Sequence, residues 1–178
     1  MKAALTLFLA FSLTSCASVS HPPVKTIAFS DVEKLEPGKS TKDQVRKVFG
    51  KPSETSSRSK TQEAWIYDGV LSDGSVGQRA SFSFDGDILV GALWMPYESD
   101  PLESVQAVQE HFKGAKFVPH VKGWDKQGHS YSEDVSYYDP KRGILFTTSG
   151  RNQTVSAIGF NLPDFKRSIS SEHPRPNP

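Results

Sequence analysis

Leu35 to Pro52 reads LEPGKSTKDQVRKVFGKP, and the way its helix starts and stops sets the plan of the chain. Val45, Val48 and Phe49 fall at i, i+3 and i+4, one face of a helix predicted from about Thr41 to Phe49. Thr41 and Gln44 have the spacing of a capping box, hydroxyl to the N3 amide and side-chain amide back to the cap. Gly50 stops the helix and Pro52 keeps it stopped. Gly38-Lys39-Ser40-Thr41 also spells the tail of a phosphate-binding loop. Such a loop needs an earlier glycine, where Glu33 stands, and an apolar strand leading in, where SDVEKLEP is polar. Nucleotide binding is therefore set aside, and Lys39 reads as a surface charge.

Downstream, the apolar period changes from helical to alternating. Gln62–Gly69, Gln78–Asp85 and Asp87–Met95 are predicted strands, with Trp65 and Tyr67 on one side of the first and Phe82 and Phe84 on one side of the second. Asp85-Gly86-Asp87 between the last two signals a hairpin. The pattern then repeats. Asp100 and Pro101 are read as cap and first turn of a second helix with the stripe Leu102, Val105, Val108 and Phe112. Strands follow at about Lys116–His120, Tyr131–Asp139, Gly143–Ser149 and Thr154–Leu162. Helix to helix, Val45 to Val105, the offset is 60 residues; strand to strand, Pro96 to Pro163, it is 67, the excess falling in the loop VKGWDKQGHS. The expected architecture is α+β: two tandem units, 31–97 and 98–167, each a helix over an antiparallel meander, with the helices on one face of a sheet.

The start of the chain, MKAALTLFLAFSLTSCAS, has a basic residue, Lys2, then an apolar run to Leu13 and small residues, which is a secretory signal over 1–15. The run is far short of the roughly twenty apolar residues that span a bilayer. Leu13-Thr14-Ser15-Cys16 resembles the bacterial lipobox, which implies cleavage before Cys16 and acylation of that cysteine. Ordinary signal-peptidase cleavage near Ala17 or Ser18 is the alternative. Cys16 is the single cysteine of 178 residues, so no disulfide staples the fold. Residues 16–30, with Pro22 and Pro23, are expected to tether lipid to domain, and 168–178 (SISSEHPRPNP) to be a disordered tail. With 21 basic and 20 acidic residues there is no global footprint for nucleic acid.

Gly38-x-Ser40-Thr41-x-x-Gln44-Val45, followed by Phe49-Gly50-x-Pro52 and Trp65-Ile66-Tyr67, resembles the signature of SmpA/OmlA/BamE-type lipoproteins over Leu35 to Met95. Gly38, Thr41, Gln44, Gly50 and Pro52 are its structural positions. The resemblance implies a helix-on-sheet domain anchored in the outer membrane through lipidated Cys16 and facing the periplasm. It further implies a non-enzymatic role in the envelope or with the β-barrel assembly machinery, and Ala17 in place of the aspartate that retains such proteins at the inner membrane agrees. Two units rather than one is closer to the tandem β-lactamase-inhibitor-protein-like fold, so a secreted inhibitor that occludes an enzyme is the second reading.

No catalytic or metal constellation is legible, and no cofactor is expected. His111, His120 and His129 are too far apart for ordinary ligand spacing, and neither a G-x-S-x-G nor an H-E-x-x-H occurs. The aspartates beside glycine or proline suit turns. For binding, Trp65, Tyr67, Trp94 and the loop residue Trp124 are the aromatic candidates, the strand aromatics having core filling as their alternative. Lys42, Arg46 and Lys47 are the basic candidates, for a protein partner or anionic lipid headgroups.

Overall fold

In the computed structural model, residues 23–97, 100–121, 135–149 and 154–161 are described. Cys16, Trp124, His129, the signal segment and the C-terminal tail lie outside them.

The strands begin with β1 (Pro23–Lys25), followed by helix α1 (Phe29–Glu33) and helix α2 (Lys42–Phe49). Next come β2 (Glu54–Ser57), β3 (Gln62–Leu71), β4 (Val76–Asp85) and β5 (Ile88–Met95). Helix α3 (Val105–His111) leads into β6 (Val118–Val121), β7 (Val135–Asp139), β8 (Ile144–Ser149) and β9 (Thr154–Phe160).

The expectation of two tandem helix-plus-meander units is overturned. The described residues form chiefly one nine-stranded antiparallel sheet in the order β1-β3-β4-β5-β9-β8-β7-β6, with β2 also on β3. Its helices are short, with five, eight and seven residues in α1, α2 and α3. β5 and β9 join directly through Ala92 with Phe160, Leu93 with Gly159 and Trp94 with Ile158. Pairing these strands satisfies backbone groups that would otherwise be bare edges. The core crosses the join: Val32 of α1, Val45 of α2 and Val108 of α3 share one cluster with Trp65, Phe82, Trp94, Phe146 and Ile158. Burying each such side chain contributes about 1.5–3 kcal/mol.

α1 bridges the β5–β9 seam. Its Phe29 ring lies 5.1 Å from Trp94, 5.9 Å from Phe160 and 5.9 Å from Phe112, and the Trp94 indole donates to the Ile27 carbonyl at 2.8 Å. The expected tether is thus folded from Pro23 onward: β1 pairs with β3, and Ile27 is buried. Sequence patterns pass over these elements for physical reasons. FSDVE is too short to show a period, and Pro23, one of the prolines that suggest a tether, is tolerated on an edge strand. β2, reading ETSS, is exposed throughout and exists through its ladder to β3.

The first helix forms as its capping signals specify. Gln44 N donates to Thr41 Oγ1 at 3.3 Å, Thr41 N donates to Gln44 Oε1 at 2.9 Å, and Gly50 follows at φ 78°. The second helix starts later than Asp100, whose carboxylate instead accepts the Tyr97 amide at 2.6 Å and closes a turn. Ser104 is the cap, accepting from the Ala107 amide at 3.1 Å. Both caps are tied to a strand start, Thr41 bridging Ile88 and Ser104 bridging Thr154. The helix starts therefore correspond as Thr41 and Ser104.

Candidate functional site at the start of α2

Lys42 and Arg46 lie one turn apart on α2, which puts both over β3. Lys42 Nζ is 2.6 Å from Glu63 Oε2, while the Trp65 indole donates to Glu63 Oε1 at 2.7 Å. The Arg46 guanidinium stands 4.8 Å above the Trp65 ring, and Lys42 Nζ is 5.6 Å from the Phe84 ring, so both cations rest on aromatic faces. Hydrogen bonds from Lys42 and then from Trp65 hold the Glu63 carboxyl below its ordinary value against a smaller opposing effect of burial. At the other end of α2, Tyr67 donates to the Gly50 carbonyl at 3.2 Å, and burial pushes its phenol up to about 12. Helix, stop signal and W-x-Y pair are one contact: α2 closes over Trp65 and Tyr67, and Gly50 ends it where Tyr67 can reach.

Beside this contact is a cleft of about 370 Å³, walled by Lys42 and Glu63, by Ser57 at the end of β2, by Ser59 and Lys60 of the β2–β3 connection, and by Asp87 of the β4–β5 turn. Its walls are fixed through the backbone. Lys42 N donates to the Asp87 carbonyl at 3.0 Å and Gly86 N to the Thr61 carbonyl at 2.7 Å. An ammonium carries three N–H donors, and the Glu63 bond occupies one of those on Lys42. The cleft presents polar groups of both signs with a pre-positioned ammonium, an arrangement that recognises polar or charged groups and contains no paired base and nucleophile.

The structure gathers Lys42, Arg46, Trp65 and Tyr67 at this site, with Gly50 beneath. Trp94 is elsewhere, under α1. As aromatic binding surface the reading needs correction, because Trp65, Tyr67 and Trp94 are 3%, 0% and 2% exposed: the helices cover their rings. Lys47 and Arg46 are exposed, and Lys42 is half-buried. Gly38 donates its amide to the Leu89 carbonyl at 2.7 Å, fixing the loop ahead of α2, and Pro52 leads from α2 to β2. Glu63, Asp87 and the two serines were missed from the sequence as site residues. Charged and polar residues in turns carry no periodic signal, and only the pairing of β2 with β3 brings them together.

Among the described residues no group of three His, Cys, Asp or Glu side chains is placed to hold a metal. His111 instead meets both Glu33 oxygens at 3.1 Å, joining α3 to α1. Among the described residues no helix is long and apolar enough to cross a membrane.

A helix capped and stopped over a W-x-Y strand of an antiparallel sheet defines the class of domain. Residues 26–92 match the model of a family of that class, the outer membrane protein assembly factor BamE domain. The match takes in the Leu35 to Pro52 segment and Trp65-x-Tyr67, the residues that carry the SmpA/OmlA/BamE resemblance. Two solved structures are similar at low identity. A DUF4309 family protein (YjgB) from Bacillus subtilis is 17% identical, with 71% of this chain and 81% of that one covered and a TM-score of 0.44. An extracellular protein containing a SCP domain from Bacillus anthracis is 11% identical, with 94% of this chain covered and a TM-score of 0.45; the match covers 57% of that protein. No curated protein matches the chain.

Proposed function

We propose that the chain is a lipoprotein, acylated at Cys16 and held on the periplasmic side of the outer membrane, that binds protein rather than catalysing a reaction and supports assembly of β-barrel outer-membrane proteins. The observation that carries this reading is the BamE-type domain over residues 26–92, whose family description is that of an outer-membrane protein assembly factor. The lipobox Leu13-Thr14-Ser15-Cys16 supports the anchor, and two or more acyl chains would make attachment stable. We place the 31–97 segment at the centre of binding, with 16–22 as the tether and 168–178 as a tail outside the domain.

With the strand aromatics covered, the docking surface is the exposed side of α2, Arg46 and Lys47, together with the cleft between Lys42, Lys60 and Asp87. Two of its cations, Lys42 and Arg46, are held on aromatic rings, Lys42 also by Glu63, which favours a partner of matching polar geometry over a diffuse anionic surface. The test is a photo-crosslinking amino acid placed at Lys47 and at Lys60 in cells. An adduct with a barrel-assembly component is expected; capture of a soluble enzyme in its stead would overturn this reading for that of an inhibitor. Cys16→Ser should move the protein to the soluble fraction, and unchanged fractionation would remove the anchor.

A further inference from the structure

The sheet has two unlike ends, and Pro23, the first described residue, lies at one of them. β1 pairs antiparallel with β3, Pro23 opposite Leu71 and Lys25 opposite Val70. Pro23 therefore stands beside the β3–β4 turn, Ser72 to Ser75. From Cys16 to Pro23 is seven peptide steps, a reach of at most about 25 Å. β3 runs ten residues from that turn to the cleft, about 33 Å at strand rise.

The two ends differ in chemistry as well as in distance. At the turn, Val76 is 49% exposed, and the acidic groups nearby are hydrogen-bonded or ion-paired. Asp73 accepts the Ser75 amide at 2.9 Å and its hydroxyl at 2.6 Å, Asp68 takes Arg79 at 2.6 Å, and Asp100 takes the Tyr97 amide at 2.6 Å. At the other end Lys60, Asp85 and Asp87 are exposed. Moving unpaired charge out of water costs far more than moving groups that carry their partners with them. The turn end is thus the one that can rest against a headgroup layer.

We propose that the β3–β4 turn is the membrane-contacting surface of this domain, the occupant being the bilayer that holds the acylated Cys16, and that the cleft beside α2 is held at the far end, directed away from that leaflet. This rests on the anchor reading above. It also assigns the α2 surface a protein partner, since Lys42 and Lys60 stand a strand length away from the headgroups.

Because an acylated Cys16 has no free thiol, an introduced cysteine is a unique label. Ser72→Cys and Thr61→Cys, both at exposed positions, are labelled with a fluorophore in the full-length lipidated protein. The protein is then reconstituted in phosphatidylethanolamine–phosphatidylglycerol vesicles containing a lipid with a headgroup-bound quencher. Quenching at residue 72 several-fold greater than at residue 61 is expected. Equal quenching, or more at residue 61, in protein that floats with the vesicles overturns the orientation and leaves the anchor standing. A wild-type protein that shows one free thiol and fails to float overturns both. Folding of each variant is checked by its far-ultraviolet circular dichroism, and Ser75→Cys serves as a second turn position.

Discussion

Tyr67 and Asp139 show how single polar groups are tied to the backbone here. The Tyr67 ring is fully buried and its hydroxyl donates to Gly50, the residue that ends α2. Replacing it with Phe keeps the ring and loses one neutral hydrogen bond, an expected cost of about 1 kcal/mol at pH 7. Its phenol, pushed up to about 12 by burial from an ordinary 10.0, contributes stability that is complete below pH 10 and lost as pH rises toward 12. Urea midpoints of wild type and Tyr67→Phe should therefore converge between those values; a constant gap would contradict the buried neutral phenol. Asp139 has the opposite sign. Burial alone would raise its carboxyl, yet the Lys116, Arg142 and Lys141 amides and the Arg142 charge bring it below its ordinary value. It accepts Lys116 N at 2.8 Å and Lys141 N at 2.9 Å, joining the chain after α3 to the β7–β8 turn. That stabilisation is present above the ordinary carboxyl value and lost as pH falls through the lowered one. Asp139→Asn should lower stability by about 1–3 kcal/mol at pH 7, with the gap to wild type narrowing in denaturation at pH 3.

At the scale of elements, what could be read in the sequence is what local chemistry decides. Thr41, Gln44 and Gly50 specify α2 because the cap, the reciprocal bond and the positive-φ stop all lie within one short segment. Gly50 has φ 78° and ψ −144°, a region nearly reserved for glycine. Thr41→Ala removes one half of the box and is expected to cost about 1 kcal/mol. Thermal unfolding measures it, and adding Gln44→Ala should cost less than it does in the wild type, since the two groups act as one. The hairpin at Asp85-Gly86-Asp87 was legible for the same reason, Gly86 standing at φ 58°. Asp100-Pro101 misled because both residues are good helix starters in isolation. The strand contact of Ser104 with Thr154 fixes the start of α3 instead, and Asp100 is used by Tyr97.

For the whole molecule, alternation told which residues share one side of a strand and was silent on which strand it joins. Trp94 and Ile158 each fall on a strand expected from the sequence, but nothing in either segment announces that they are paired neighbours in one sheet. The same limit hid the candidate cleft, whose walls come from α2, the β2–β3 connection and the β4–β5 turn. It also hid the role of residues 27–33, which cover the seam from a segment that reads as tether. That placement makes a cooperative prediction. The β5–β9 joint rests on three residue pairs, so α1 and the aromatic rings beneath it must hold much of the connection. Phe29→Ala leaves Trp94, Phe112 and Phe160 without the ring they share, at an expected cost of about 3–5 kcal/mol. Methyl signals of Val45 and of Val155, on either side of the seam, should vanish at the same urea concentration in the wild type, because one core includes both. In Phe29→Ala both should move down together. Val155 melting well before Val45 in the wild type would mean that the seam is a boundary between separately stable parts rather than the middle of one folded sheet.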